Sequence, residues 1–197
     1  MTAAEYCQAQ HIAFMARQAR GLVCLALTPQ RCEELELPLM VEGDDSLSPF
    51  TLSIEAATGI DTGISAADRA RTVQVAVDAL SQPSDLVQPG HIFPIAAAAG
   101  GVLTRTAPAE AAVDLATLAG LTPAAVFTEV LDGEGAVASG DYLAEFAERH
   151  DLVVGRVSDL VTYRLANQKT VSTIRSGVLQ SRYGKFKLTA YQDTIHQ

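Results

Sequence analysis

Leu22-Val23-Cys24-Leu25-Ala26-Leu27 is an unbroken apolar run that follows Gly21 and stops at Thr28-Pro29. So short a run between breakers reads as a buried strand. A strand without a polar face needs packing on both sides, which points to a layered fold.

The flanking segments supply layers of both kinds. Ala3 to Ala19 spaces Ile12, Met15 and Ala19 at helical intervals. Phe50 to Ile54 alternates apolar and polar residues, as a half-buried strand does. Ser65 has the chemistry of an N-cap for a helix over Ala66 to Leu80, with Val73, Val77 and Leu80 on one face. Further helices are expected over Glu110 to Leu118, ended by Gly120, over Asp141 to His150, and over Ser158 to Leu165 with Asp159 in its first turn. Strands are expected over Val126 to Leu131 and Leu152 to Val157. The fold class is therefore α/β (α+β), a mixed sheet flanked by helices. From Asn167 onward Lys and Arg become frequent and the apolar period thins, which sets a boundary between residues 1–166 and a tail over 167–197.

With 197 residues, 48% of them hydrophobic, one full domain with a tail is expected rather than two domains. Lys and Arg number 14 against 23 Asp and Glu, and the net charge of -9 opposes binding to nucleic acid or anionic lipid. No apolar run reaches the roughly 18 residues of a membrane span, and no basic segment leads into a hydrophobic one at the start. A cytoplasmic protein is expected. Cys7, Cys24 and Cys32 show no Cys-x-x-Cys spacing, so neither a disulfide framework nor a zinc site is indicated. On chemistry alone Cys24 reads as a small buried filler.

Four places carry chemistry. Gly59-Ile60-Asp61-Thr62-Gly63-Ile64-Ser65 joins a strand to a helix start, and its hydroxyls and backbone N–H groups suit an anion; a plain Asx turn with a capping box explains the same residues. His91, between Pro89 and Pro94, reads as a structural donor or as a catalytic imidazole aimed from a rigid loop. Arg105 precedes a helix start near Ala109, where a guanidinium can meet a phosphate. Glu129 lies in the apolar stretch Val126 to Val130, where burial would raise its pKa toward proton-transfer range.

Several of these segments, taken in order, resemble 3,4-dihydroxy-2-butanone 4-phosphate synthase. The matching stretches are Phe50 to Ala56, Thr62 to Arg69, Pro89-Gly90-His91-Ile92-Phe93-Pro94, Gly100 to Leu103, Glu110 to Leu115 and Ala119-Gly120-Leu121, within residues 3 to 166. The family converts ribulose 5-phosphate, with release of formate, into a four-carbon riboflavin precursor, and holds a divalent metal between the subunits of a homodimer. The resemblance therefore implies catalytic roles for Cys24, His91 and Glu129 and substrate contacts from Thr62, Ser65 and Arg105. It also implies a homodimer and a sugar-phosphate-like anionic substrate.

Departures from the family pattern are as specific as the matches. The resemblance begins only beyond the family's acidic loop, which carries one metal-binding glutamate. Where the family reads Arg-x-Gly-His-Thr-Glu-Ala, this chain has Arg105-Thr106-Ala107-Pro108-Ala109-Glu110-Ala111, without the ligand histidine or the phosphate-binding threonine. An arginine common after the Pro-Gly-His motif is replaced by Ala96. No metal and no cofactor is therefore expected, and the standard formate-releasing reaction is not. Two readings follow: a divergent, metal-independent enzyme acting on a sugar phosphate or related polyol and redirected to specialised biosynthesis, or an inactive paralogue serving as a binding or regulatory partner. In the tail, Leu179 to Tyr191 resembles the opening strand of GTP cyclohydrolase II, while a disordered basic tail accounts for the same composition.

Overall fold

The computed structural model describes residues 1–41 and 49–195. A five-stranded mixed sheet has the order β1-β5-β2-β4-β3, built from β1 (Thr2–Ala3), β2 (Cys24–Leu27), β3 (Ile54–Ala56), β4 (Leu86–Ala96) and β5 (Ala125–Phe127). The predicted buried strand is its centre. β2 runs parallel to β4, with Cys24 opposite Phe93, and antiparallel to β5, with Cys24 opposite Phe127.

Alternation along β2 divides the core in two. Leu25 and Leu27 point to one face, where they pack with Ile12, Ile54, Val73, Ile92 and Val126 beneath α1 (Ala9–Phe14) and α3 (Ala66–Val77). Cys24 and Ala26 point to the other, against Ile95, Ala97, Ala112 and Val113 beneath α4 (Pro108–Leu118). Leu25 is completely buried, so truncation to Ala would cost about 2–5 kcal/mol. Among the described residues, the further α-helices are α2 (Pro29–Glu34), α5 (Asp141–Arg149) and α6 (Val157–Asn167).

Local chemistry explains where the helices begin and end. Ser65 caps α3 by accepting from the Asp68 N–H at 3.0 Å. α3 stops at Val77, so Leu80, expected on its apolar face, lies outside it and is exposed. Pro108 opens α4, where a missing N–H costs nothing, and Gly120 (φ +73°) follows its end. The first expected helix is interrupted. Gln8 and His11 form a reciprocal cap that starts α1 at Ala9, and Met15–Ala19 continue it as a π-helical turn.

Four expected elements differ. Phe50 and Thr51 make isolated bridges, to Ile95 and Leu39, and the strand proper is Ile54–Ala56. Residues 89–94 lie inside β4, so His91 stands on a strand rather than in a loop. β5 ends at Phe127, with only bridges from Val130 and Leu131 beyond it. Residues 152–156 form no strand: Val153 is fully exposed, and an apolar run becomes a strand only where a neighbour offers hydrogen bonds. The tail is ordered as a hairpin of β6 (Val171–Ser181) and β7 (Gly184–Asp193), paired to each other in a separate two-stranded sheet.

Candidate active site

Strand parity places the candidate groups. His91 lies two residues before Phe93 on β4 and therefore on the α4 face, one row beyond Cys24. Ile54 pairs with Ile92, so Glu55 shares the face of His91, and the His91 Nδ1 lies 2.5 Å from Glu55 Oε1. α4 covers the Ala26, Ile95, Ala97 and Ala125 end of this face. At the other end Phe93 and Phe127 are half-buried and His91 has 42% of its side chain exposed. That open end is the candidate site.

Cys24 is buried, and its Sγ points to the Leu22 carbonyl at 3.7 Å. Burial first, and the Glu129 carboxylate second, push its pKa up to about 12. A thiol in that state keeps its proton at neutral pH and does not act as a thiolate nucleophile. Glu129 is exposed, contrary to the burial expected from its apolar neighbours, because the chain has left the sheet after Phe127. Its charge still reaches Cys24. The approach depends on Gly21, where a Cβ would fall 2.3 Å from the Glu129 carbonyl oxygen.

The loop before α3 does not present its amides to an anion. The N–H groups of Asp61, Thr62 and Gly63 donate to the Asp68 carboxylate at 3.4, 3.2 and 3.0 Å. Burial pushes the Asp68 carboxyl upward, but hydrogen bonds from Ser65, Asp61, Gly63 and Thr62 outweigh it and hold the pKa below the ordinary value. An internal carboxylate already fills the expected anion nest. Thr62 itself is exposed, whereas the hydroxyl of Ser65 is committed to the helix cap.

Arg105 is likewise engaged within the chain. Its Nη2 donates to the Ala96 carbonyl at 3.0 Å and forms an ion pair with Glu110. Glu110 is completely buried and also accepts from the Ala98 N–H at 2.8 Å, while its Oε2 and the Arg105 Nε are buried without a partner. The guanidinium is thus held at Ala96, five residues along β4 from His91, or about 16 Å at the usual strand rise. The chain places Cys24, His91 and Glu129 at one end of this face and holds Arg105 apart from them.

Glu55, Asp68 and Glu110 organise the site without having been singled out as candidates. The available signal was a carboxylate in the helix first turn for Asp68 and Glu110, and a polar residue on a half-buried strand for Glu55.

The α4 N-terminus starts Ala107-Pro108-Ala109, with no side-chain donor for a cation. Among the described residues no group of three or more His, Cys, Asp or Glu is arranged to hold a metal ion. Pro108 and Ala109 therefore do not fit a divalent centre at this helix start. A cleft of about 580 Å³ lined by Glu5, Arg71, Gln74, Asp78 and Asp85 lies on the α3 side and belongs to none of these groups.

Residues 1–163 match the family model described as 3,4-dihydroxy-2-butanone 4-phosphate synthase. The chain is 51% identical over 197 residues to a protein of that name from Pseudomonas syringae pv. tomato, covering 99% of this chain and 53% of that one. It is 46% identical to the riboflavin biosynthesis protein RibBA of Synechocystis, covering 99% of this chain and 36% of that one. Among solved structures, RibBX of A. baumannii, a two-domain 3,4-dihydroxy-2-butanone 4-phosphate synthase, superposes with a TM-score of 0.89 at 45% identity, over 98% of this chain and 58% of that one. A 3,4-dihydroxy-2-butanone 4-phosphate synthase in complex with two magnesium ions superposes with a TM-score of 0.77 at 37% identity, over 84% of this chain and 83% of that one. The chain spans about half the length of the first curated relatives it matches.

Proposed function

Because the chain belongs to the 3,4-dihydroxy-2-butanone 4-phosphate synthase family, we propose that it is a divergent, proton-transferring member of that family, acting on a sugar phosphate or related polyol without a divalent centre of its own. The observation that carries this reading is the grouping of Cys24, His91 and Glu129 at the open end of the α4 face. His91 accepts a proton from substrate, the protonated Cys24 thiol offers a weak S–H hydrogen bond beside it, and the exposed Glu129 carboxylate serves as a second proton acceptor within electrostatic reach of Cys24. Thr62 adds a hydroxyl from the neighbouring loop. In the family a divalent cation supplies Lewis-acid stabilisation, and here Pro108 and Ala109 offer it no ligand.

Arg105 favours a homodimer. Its anchor at Ala96 lies at the far end of β4 from His91, so a site using both draws one of them from a second copy, with Arg105 as the cationic contact for a phosphate. We assign the chain to the cytoplasm. We also assign residues 167–197 to a linker and a stub that resembles the opening strand of GTP cyclohydrolase II. In support, the magnesium-bound and cation-free synthase structures cover 84% and 85% of this chain, whereas the two-domain relative covers 98%.

The test is proton exchange. The protein is incubated in D2O with a panel of ketose and aldose phosphates, with and without chelator, and substrate C–H signals are followed by NMR. Deuterium incorporation that persists in chelator and is lost in His91→Asn and Glu129→Gln is expected. Absence of both exchange and binding for every compound overturns the proposal in favour of a non-catalytic partner.

A further inference from the structure

The contact between His91 and Glu55 spans 36 residues and joins two strands on the open end of the site. Glu55 has only 15% of its side chain exposed, and an ionised carboxylate accepts hydrogen bonds but cannot donate them. A neutral His91 that donates to this carboxylate carries its proton on Nδ1 and its lone pair on Nε2. We propose that Glu55 is a positioning residue that fixes His91 in the Nδ1–H tautomer and so leaves Nε2 as its proton acceptor. An imidazole without such a partner prefers the opposite tautomer, with the proton on Nε2.

Gly63 ties this device to the loop that carries Thr62. Gly63 has φ +78°, and a Cβ built there would lie 2.1 Å from the Glu55 carboxyl carbon. The loop backbone thus packs on the carboxylate, and only a residue without a side chain leaves Glu55 in reach of His91.

His11 provides a reference within the same molecule. Its Nδ1 accepts from the Gln8 N–H at 3.0 Å, which places its proton on Nε2. The two histidines should thus show opposite tautomers in one spectrum.

The proposal rests on His91 being the proton acceptor of the site, but its test involves no substrate, so failure here leaves the functional reading to its own exchange experiment. Long-range 1H–15N correlation spectra are recorded on the full 15N-labelled chain at the alkaline end of the histidine titration, with His91 assigned through His91→Asn. In the wild type, His91 is expected to show a protonated Nδ1 and an unprotonated Nε2, the reverse of His11. Glu55→Gln replaces the ionised acceptor with a neutral amide whose N–H can also donate to Nδ1, and should shift the tautomer ratio toward Nε2–H by about tenfold or more. Gly63→Ala, which displaces the carboxylate, should move it the same way. A wild-type His91 with the pattern of His11 overturns the proposal, as does a ratio unchanged in a folded Glu55→Gln. If that variant does not fold, the wild-type spectrum alone decides.

Discussion

Asp114 of α4 accepts from Arg164 of α6 at 2.7 Å in a buried contact that fixes the turn leading to Arg105. The same carboxylate accepts from the Val102 N–H at 2.9 Å, and the same guanidinium donates to the Gly100 carbonyl at 2.8 Å. Gly101 (φ +60°) passes so close that a Cβ would fall 2.1 Å from Asp114 Oδ1. Removal of one partner strands a buried charge, whereas replacement of both by apolar residues does not. Arg164→Ala and Asp114→Ala are each expected to lower the unfolding free energy by about 3–5 kcal/mol. The double variant Asp114→Leu/Arg164→Met should lose less than either. Urea unfolding measures all three, and additive losses would contradict the coupling.

The buried thiols make stability fall on the alkaline side. Desolvation raises Cys7 and Cys32 to about 11, and burial with the Glu129 charge raises Cys24 to about 12, from a common ordinary value of 9.0. In the unfolded chain these thiols ionise near pH 9 while the folded chain keeps its protons, so the unfolded state binds fewer protons above that pH. Stability is therefore full below pH 9 and falls as pH rises toward 11–12. Each thiol steepens the slope by at most about 1.4 kcal/mol per pH unit. Urea midpoints across that range should fall less steeply in Cys24→Ser than in the wild type.

Magnesium should leave this chain unaffected. The α4 N-terminus carries Pro108 and Ala109 where a cation would need donors. A ligand that binds only the folded state raises its stability by mass action. Thermal unfolding in millimolar magnesium and in chelator should therefore agree to within about a degree. A saturable rise in melting temperature would show that the protein assembles a cation site from other donors.

What the sequence disclosed depended on how locally each feature is determined. The run Leu22 to Leu27 announced the central strand because burial on both faces removes every polar residue from it. α3 was legible from Ser65, and α4 from Gly120, since caps act within one turn. Leu152 to Val157 misled, because apolar composition cannot supply a neighbouring strand. Gly59 to Ser65 fit an anion loop and a capped turn alike, and what separates them is Asp68, which returns from the first turn of α3 and takes the amides that the loop displays. Glu55 and His91 meet across 36 residues, a distance over which no local pattern speaks. Glu129 lies within electrostatic reach of Cys24 but is exposed and not buried as expected, because the strand stops at Phe127.

The last prediction separates the two basic regions of the chain. Arg105 is held by Glu110 and Ala96, with 32% of its side chain exposed, whereas Lys185 lies on the exposed hairpin strand β7. A charge-assisted hydrogen bond to a phosphate contributes about 1.5–3 kcal/mol, so Arg105→Ala should weaken the binding of a sugar phosphate about 10- to 100-fold. Because that substitution also leaves the buried Glu110 carboxylate without its cation, the melting temperature should fall as well, and binding must be measured well below it. Glu110→Gln keeps Arg105 but removes the charge that holds it at Ala96. The freed guanidinium should then bind the anion as tightly as in the wild type or tighter. Lys185→Ala should change affinity by less than about twofold, since a single exposed charge is screened. Titration calorimetry with ribulose 5-phosphate and its unphosphorylated sugar compares the four proteins. Equal losses in Arg105→Ala and Lys185→Ala would mean that the anion is drawn by diffuse charge and not by the Arg105 guanidinium.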